Sequence, residues 1–317
     1  MRKMICLHGL APEQEASIRE AAPDWHIIFG RPKDLDPAEF GDAEVILGWC
    51  DAAQETGLAP GSKLRWIQLW SSGADYMPFE KLKQREVMLT TASGVHPVPM
   101  AETVFAMLLA FTRELPRAIR NQTRRHWDKA GRFTELNGRT MAVIGLGSIG
   151  TEIARLAQAF GMRVIGVRRT ARPADHVDAV HTLDKLDEAL AASDVIVNVL
   201  PKTTETDGLF DEVRFAAMKR GAFFVNVGRG ASVRTDALVQ ALTKGHLAGA
   251  GLDVFETEPL PEDHPLWAMD NVIITPHTGG NTDRLKEKVT ALFLENLAAY
   301  LDTGSPARNL VDYDRQY

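Results

Sequence analysis

The chain is poor in cysteine, since its 317 residues contain only Cys6 and Cys50. Two cysteines cannot form the several disulfides of a small secreted scaffold, and their spacing is not that of a zinc site. We therefore expect no disulfide framework and no bound metal. A reducing, cytoplasmic location fits this composition.

An excess of positive charge and long hydrophobic runs are also missing. The chain has 36 Lys and Arg against 42 Asp and Glu, and its formal net charge of −6 argues against nucleic acid as the main partner. The apolar runs end well short of the roughly 20 residues that span a bilayer, so we expect no membrane partner. The N-terminal apolar stretch is too short for a signal peptide and predicts a first strand instead.

What remains is the composition of an ordinary soluble globular protein, with 45% hydrophobic and 25% charged residues. The length predicts two domains. In the first third of the chain, short apolar runs alternate with helical patterns, which indicates an α/β domain. The predicted strands are Met4–Leu7, Trp25–Phe29, Val45–Gly48, Trp66–Leu69 and Val87–Thr90.

Two segments separate this region from a second α/β pattern. Met100–Thr112 is apolar on nearly every face, which predicts a helix buried between domains. The basic stretch Arg120–Lys129, with Trp127, is interpreted as a solvated helix and loop rather than as an anion site.

The second pattern begins at Arg139, and its alternation of strands with helices predicts a parallel, doubly wound sheet. The last helix is predicted at Asp283–Leu301. The predicted strands are Met141–Ile144, Arg163–Val167, Val195–Leu200, Phe223–Val227, Leu247–Leu252 and Val272–Thr275.

A glycine-rich loop, Gly145-Leu146-Gly147-Ser148-Ile149-Gly150, follows the first of these strands and opens a helix. In that context the motif indicates a dinucleotide site. Gly145 permits the tight turn, Gly147 lets the backbone approach the pyrophosphate, and Gly150 lets the helix pack on the strand. The helix N-terminus, which includes Ser148 and Ile149, favours the anionic phosphates.

The end of the next strand, about 20 residues further on, usually carries an acid that binds the ribose of NAD. This chain has Arg168 and Arg169 there, and no acid occurs before Asp175. Two guanidinium groups would attract a 2′-phosphate, so we expect NADP(H) to be favoured over NAD(H). The alternative is that both arginines are solvated and the site accepts either cofactor.

Three further residues lie in distinctive local settings: Arg229 in Val225–Gly230, Glu258 after Gly251–Phe255, and His277 in Ile273–Gly280. With the loop Ser71–Asp75, the segment Leu136–Thr140 and the glycine loop, these motifs occur in a specific order. Because of this order, the chain resembles the D-isomer-specific 2-hydroxyacid dehydrogenase family along nearly its whole length. That family includes glyoxylate/hydroxypyruvate reductases and phosphoglycerate dehydrogenases.

The resemblance implies a catalytic set of Arg229, Glu258 and His277. A guanidinium fork can hold the substrate carboxylate and polarise the adjacent carbonyl. A histidine can protonate the carbonyl oxygen as hydride arrives, or take the proton in reverse. A carboxylate within hydrogen-bond reach can orient the imidazole.

The resemblance also implies binding residues. The backbone amides of Ser72, Gly73 and Ala74 would receive the substrate carboxylate. Asp253 would accept a hydrogen bond from the cofactor carboxamide, although aspartate often simply caps a turn. The other implied cofactor contacts are Leu200, Pro201, Thr206, Val227, Gly228, Gly279 and Gly280.

The predicted fold class is α/β, with a Rossmann cofactor domain inserted in a flavodoxin-like substrate domain, both doubly wound parallel sheets. The NAD(P)-binding domain is expected at residues 100–284, and the substrate domain at residues 1–99 plus 285–317. We expect the active site in the cleft between them, and a homodimer formed through the helix from Met100 and the arm around Trp127.

The expected enzyme transfers hydride between NAD(P)H and a small 2-keto or D-2-hydroxy acid, with glyoxylate or hydroxypyruvate as the expected substrate. One alternative is a 3-phosphoglycerate dehydrogenase-like enzyme, disfavoured because only about 40 residues follow His277, fewer than a regulatory domain needs. Another is a dinucleotide-sensing binding protein of the same fold. A third is a family enzyme acting on formate or phosphite, neither of which has a carbonyl to protonate.

Overall fold

The computed structural model describes residues 1–315, in which the chain forms two units, each built around one parallel sheet. One unit comprises Met1–Val95 and the described part of Thr282–Tyr317. The other comprises His96–Asn281, so it is inserted into the chain of the first. Gln316 and Tyr317, which belong to the expected substrate domain, lie outside the described residues.

The first unit contains a five-stranded parallel sheet of order β2-β1-β3-β4-β5, the flavodoxin-like arrangement. Each predicted strand forms, within one or two residues of its predicted bounds. The strands are β1 (Lys3–Cys6), β2 (His26–Phe29), β3 (Val45–Leu47), β4 (Trp66–Gln68) and β5 (Met88–Thr90). Its helices are α1 (Pro12–Ala21), α2 (Asp51–Glu55), α3 (Phe79–Gln84) and the C-terminal helix (Leu285–Thr303), with 3₁₀ turns at Pro32–Asp34 and Pro37–Gly41.

The C-terminal helix packs on this sheet through the fully buried Trp66. The Trp66 ring lies 5.3 Å from that of Phe293 and 5.2 Å from that of Tyr300. Its indole nitrogen donates to Thr90 Oγ1 at 2.9 Å. An aromatic side chain buried with its polar atom satisfied stabilises the packing, so the last helix completes the core of the first unit.

The second unit contains a seven-stranded parallel sheet of order β12-β11-β10-β9-β6-β7-β8. The first strand of this unit, β6, lies inside the sheet, and the later strands are added on both sides of it, as in a Rossmann domain. The predicted fold class of two parallel α/β sheets is therefore confirmed. The strands are β6 (Thr140–Ile144), β7 (Arg163–Val167), β8 (Ala179–His181), β9 (Val195–Asn198), β10 (Ala222–Asn226), β11 (Leu247–Leu252) and β12 (Val272–Ile274).

The edge strand β8 was not predicted, because it is only three residues long and half-exposed throughout, which leaves no apolar signal. Helices between the strands of this sheet were predicted from the alternation, but no bounds were predicted for α8 and α9. The helices are α4 (Pro97–Thr112), α5 (Leu115–Thr123), α6 (Ser148–Ala159), α7 (Leu186–Ala192), α8 (Glu212–Ala217) and α9 (Thr235–Thr243), with 3₁₀ turns at Leu183–Lys185, Gly230–Ser232 and Pro265–Ala268.

The apolar helix α4 packs on β11 inside the second unit. A Cβ added to Gly251 would lie 2.7 Å from Met107 Sδ, and one added to Gly249 would lie 3.2 Å from the Phe111 ring. The strand therefore needs glycine where the helix crosses it. In the described residues, no helix is long and apolar enough to cross a membrane.

Candidate active site

The glycine loop links the buried strand β6 to α6. Gly145 has φ 107°, a conformation that favours glycine. A Cβ on Gly150 would lie 2.0 Å from the Gly145 carbonyl oxygen, so this glycine lets the helix approach the turn closely. A Cβ on Gly147 would meet no protein atom within 4 Å. Helix α6 begins at Ser148, and its N-terminal amides, including that of Ile149, are therefore open to the phosphates of a dinucleotide. The glycine loop and the N-terminus of α6 thus fit a dinucleotide.

Arg168 and Arg169 lie directly beside this loop. They follow β7, whose last residue Val167 pairs with Ile144 of β6. The Gly145 amide donates to the Val167 carbonyl oxygen at 2.9 Å. Arg168 is half-buried and Arg169 is exposed. The backbone of the two arginines thus begins directly beside the glycine loop.

The loops after β9 and β10 meet at the same edge of the sheet. A Cβ on Gly228 would lie 2.6 Å from the Leu200 carbonyl oxygen, so Gly228 permits a close approach of the two backbones. The Thr206 hydroxyl donates to the Pro201 carbonyl oxygen at 2.7 Å and accepts from the Thr203 amide at 2.9 Å. Thr206 is 5% exposed, so here it shapes the loop that starts at Pro201.

A buried polar network under this edge was missed by sequence reasoning. Asn198 Nδ2 donates to Asn226 Oδ1 at 2.9 Å and to Ser232 Oγ at 2.7 Å. Ser232 Oγ and Asn226 Nδ2 donate in turn to the Arg229 carbonyl oxygen, at 2.6 and 3.2 Å. Buried amides persist only when their bonds are satisfied. The signal was present in the sequence, since each asparagine ends an otherwise apolar strand.

The network fixes the backbone that carries Arg229. Its half-buried side chain donates through Nη1 to the Gly228 carbonyl oxygen at 2.9 Å. A Cβ on the next residue, Gly230, would lie 1.8 Å from the Phe255 carbonyl carbon. The loop bearing Arg229 is therefore pressed against the segment that leads to Glu258. Val227, just before it, is buried.

Glu258 and His277 are in direct contact. Glu258 Oε2 lies 2.8 Å from His277 Nδ1, and Glu258 Oε1 accepts from the Phe255 amide at 2.9 Å. The carboxylate is thus held at one oxygen by the backbone and faces the imidazole with the other. The side chain of Glu258 is 35% exposed and that of His277 is 52% exposed, so the pair remains accessible to a ligand.

Asp253 organises the segment that carries His277. Its buried carboxylate accepts from Thr275 Oγ1 at 2.6 Å and from the Thr278 and Gly279 amides at 3.0 Å. Its backbone oxygen accepts from the His277 amide at 2.8 Å. These bonds hold His277 at φ 54°, a left-handed conformation that non-glycine residues seldom adopt. The predicted contact between Asp253 and the cofactor carboxamide remains a prediction, since each described bond is internal.

Helix α4 holds the far side of the same segment. Thr103 Oγ1 donates to the Gly279 carbonyl oxygen at 3.1 Å, and His96 Nδ1 lies 3.1 Å from the Gly280 carbonyl oxygen. A Cβ on Gly279 would lie 2.9 Å from Asp253 Oδ2. Sequence reasoning assigned no role to Thr103 or His96, because neither lies in a recognisable motif.

The loop of Ser72, Gly73 and Ala74 belongs to the first unit, not to the unit that holds the residues above. It follows β4, and its shape is set by Ser71 Oγ, which donates to the Gly73 carbonyl oxygen at 2.7 Å. Ser72 Oγ donates to the Ala92 carbonyl oxygen at 3.3 Å.

Residues 105–279 match the family described as "D-isomer specific 2-hydroxyacid dehydrogenase, NAD binding domain". The matched range contains the glycine loop, Arg168, Arg169, Arg229, Glu258 and His277.

Individual proteins resemble the chain over most of its length. It is 34% identical over 284 residues to glyoxylate/hydroxypyruvate reductase B of Escherichia fergusonii, with 86% of each chain covered. A solved D-isomer specific 2-hydroxyacid dehydrogenase family protein from Aeromonas salmonicida has 36% identity, 99% coverage of both chains and a TM-score of 0.88. An NADPH-dependent glyoxylate/hydroxypyruvate reductase from Sinorhizobium meliloti, solved with NADP and sulfate, has 27% identity, full coverage of both chains and a TM-score of 0.82.

Proposed function

The chain belongs to the D-isomer-specific 2-hydroxyacid dehydrogenase family, and we propose that it reduces glyoxylate or hydroxypyruvate with NADPH. As a family member it is an NAD(P)-dependent oxidoreductase that transfers hydride between the cofactor and a 2-keto or 2-hydroxy acid. The contact that carries the proposal is the 2.8 Å approach of Glu258 Oε2 to His277 Nδ1.

His277 is the proposed acid and base. Because Nδ1 faces a carboxylate, that nitrogen carries a proton and Nε2 is left to exchange one with the substrate oxygen. When NADPH is bound it supplies the hydride, and the proton passes from Nε2 to the carbonyl oxygen in the direction of reduction. Glu258 stabilises the charged imidazole and keeps the ring oriented.

Arg229 is the proposed anchor for the keto acid. Its planar fork suits a carboxylate and can polarise the adjacent carbonyl. The backbone bonds from Ser232 and Asn226 support this role, since a catalytic fork has to be held in place before substrate arrives. The amides of Ser72, Gly73 and Ala74 are proposed as further carboxylate donors, and the first unit as the substrate domain.

The second unit is the proposed cofactor domain, with NADP(H) favoured over NAD(H). Gly145, Gly147 and the N-terminus of α6 would hold the pyrophosphate, and Arg168 with Arg169 the 2′-phosphate. The proximity of the Arg168 strand to the loop supports this assignment. The remaining proposed contacts are Leu200, Pro201, Thr206, Val227, Gly228, Asp253, Gly279 and Gly280.

We further propose a cytoplasmic homodimer. Four large apolar side chains on and after α5 are strongly exposed, an arrangement typical of an interaction surface. They are Leu115 (46%), Ile119 (60%), Trp127 (88%) and Phe133 (54%).

The test is oxidation of NADPH and of NADH, measured separately at 340 nm with glyoxylate, hydroxypyruvate, pyruvate, phenylpyruvate and 3-phosphohydroxypyruvate. Fastest turnover of glyoxylate or hydroxypyruvate with NADPH is expected. A preference for the phosphorylated substrate would instead favour a phosphoglycerate dehydrogenase. Cofactor binding without turnover of any keto acid would favour a dinucleotide sensor.

A further inference from the structure

The segment that follows the C-terminal helix lies along β5, the edge strand of the first unit's sheet. Leu310 forms an isolated antiparallel bridge with Thr90, and the Val311 amide donates to the Leu89 carbonyl oxygen at 2.8 Å. An edge strand presents backbone groups that need a cover or a partner. The C-terminal segment therefore covers this edge and reaches the residues that follow β5.

Asn309, next to this bridge, contacts the residues after β5 through three hydrogen bonds. Its Nδ2 donates to the Thr91 carbonyl oxygen at 3.2 Å and to the Ser93 carbonyl oxygen at 2.8 Å. Its own carbonyl oxygen accepts from the Thr91 amide at 3.2 Å. One asparagine thus holds both ends of the short segment 91–93.

The backbone of Asn309 lies in the left-handed region, with φ 63°. After glycine, asparagine is among the residues that adopt this conformation most readily. Its side-chain amide also supplies two N–H donors, one for each carbonyl oxygen. Glycine could therefore replace Asn309 without backbone strain, and only the two side-chain hydrogen bonds would be lost.

Ala92, the middle residue of segment 91–93, holds the loop that follows β4. Its amide donates to the Ser71 carbonyl oxygen at 2.8 Å, and its carbonyl oxygen accepts from Ser72 Oγ at 3.3 Å. Ser71 Oγ donates in turn to the Gly73 carbonyl oxygen at 2.7 Å. Because Ala92 is fully buried, its position is fixed by packing as well as by these bonds. A continuous chain of contacts therefore leads from the C-terminal segment to the loop after β4.

We propose that Asn309 is a positioning residue for substrate binding, which acts through segment 91–93 on the loop that follows β4. The inference rests on the proposed function, in which the amides of Ser72, Gly73 and Ala74 receive the substrate carboxylate. Backbone amides hold an anion well when the backbone that carries them is fixed before the anion arrives. The bonds from Asn309 provide that fixation within the first unit.

Loss of this support should weaken substrate binding rather than slow the chemical step. The loop would hold the carboxylate equally in the ground state and in the transition state, and loss of such uniform binding raises KM with kcat unchanged. The hydride and proton transfers depend instead on the cofactor and on His277, which belongs to the second unit.

The experiment compares Asn309→Gly with the unmodified protein at 340 nm, with NADPH and the keto acid that the unmodified protein reduces fastest. The KM for the keto acid should rise at least about fivefold, the effect of roughly one lost hydrogen bond. The kcat should change less than about twofold, and NADPH affinity should stay the same. Amide hydrogen exchange in residues 69–77 should become faster, because the loop opens more easily.

The matched control is Tyr313→Phe, which removes a side-chain hydrogen bond from the same C-terminal segment. The Tyr313 hydroxyl donates to the Val87 carbonyl oxygen, before the amino end of β5 and away from segment 91–93. This variant should leave the KM and the exchange of residues 69–77 unchanged. An equal rise in KM for both variants would overturn the proposal, because the segment would then only stabilise the unit. Unchanged exchange of residues 69–77 in Asn309→Gly would overturn it as well.

Failure of the proposed function would give a different result from failure of this inference. If the unmodified protein reduced none of the keto acids, the proposed function would fail, and the inference with it. If the unmodified protein reduced one of them and Asn309→Gly had the same KM, or lost kcat alone, only the positioning role of Asn309 would be disproved.

Discussion

Asp253 accepts hydrogen bonds from the Gly279 amide through both carboxylate oxygens, at 3.0 and 3.1 Å. Because His277 lies two residues before Gly279 and donates its own amide to the Asp253 backbone, one buried aspartate sets the position of the imidazole. We interpret Asp253 as a positioning residue for His277.

Replacing Asp253 with Asn should therefore damage both stability and turnover. The amide cannot accept at both oxygens, so unfolding free energy should fall by about 2 kcal/mol, the scale of a hydrogen bond to a charged group. The kcat should fall while the KM for the keto acid changes less. Urea unfolding and steady-state kinetics measure the two effects. The exposed Asp263→Asn serves as control, and equal behaviour of both variants would contradict the positioning role.

Replacing His277 with Ala should lower kcat at least about 10²-fold, because general acid catalysis is lost, while NADPH affinity stays nearly unchanged. Fluorescence titration with NADPH and the 340 nm assay separate the two. Glu258→Gln should lower kcat less, since the imidazole remains. His26→Ala, an exposed histidine of the first unit, should have no effect. Turnover that survives His277→Ala would disprove the acid–base assignment.

Replacing both Arg168 and Arg169 with Gln should raise the KM for NADPH at least about tenfold more than the KM for NADH, because only NADPH carries the 2′-phosphate. Ratios of kcat/KM for the two cofactors measure the change. Arg172→Gln, which removes one charge from an exposed position of the same loop, is the control. An equal fall in kcat/KM for both cofactors would show that the arginines do not recognise the 2′-phosphate.

Glu44 should contribute stability that depends on pH. Burial raises the pKa of this carboxyl, but hydrogen bonds from Arg2 and Tyr300 outweigh burial and hold the pKa below its ordinary value of 4.5. A depressed pKa means that the stabilisation is present above about pH 4.5 and is lost as pH falls through the folded-state value.

Glu44→Gln should accordingly unfold about 1 kcal/mol more easily at pH 7, with the difference shrinking below pH 4.5. Urea midpoints measured from pH 7 to pH 3 follow the change. A difference between the two proteins that stays constant over that range would mean that the ion pair with Arg2 does not provide the effect.

Much of the fold and of the candidate active site could be predicted from the sequence, because apolar strands followed by glycine, arginine or proline occur in a fixed order. The bounds of β7 and β11 were predicted to the residue. The network of Asn198, Asn226 and Ser232 was not predicted, because an asparagine at the end of an apolar strand marks a polar site but does not show which residues it meets once the strands are in register.

The glycine loop allows a last prediction, in which two glycines of one motif behave oppositely. A Cβ on Gly147 would meet no protein atom, whereas one on Gly150 would lie 2.0 Å from the Gly145 carbonyl oxygen. Gly147→Ala should therefore change the unfolding free energy by no more than about 1 kcal/mol, the scale of a helix-cap substitution. Its NADPH affinity should nevertheless fall at least about tenfold, because the added methyl group occupies the approach to the α6 N-terminus.

Gly150→Ala should instead lower the unfolding free energy by several kcal/mol, because the backbone of the turn has to shift. Thermal unfolding without cofactor, paired with NADPH titration of each variant, distinguishes the two effects. If Gly147→Ala bound NADPH as tightly as the unmodified protein, the pyrophosphate would not lie against this loop. The assignment of Ser148 and Ile149 as phosphate-binding residues would then fail with it.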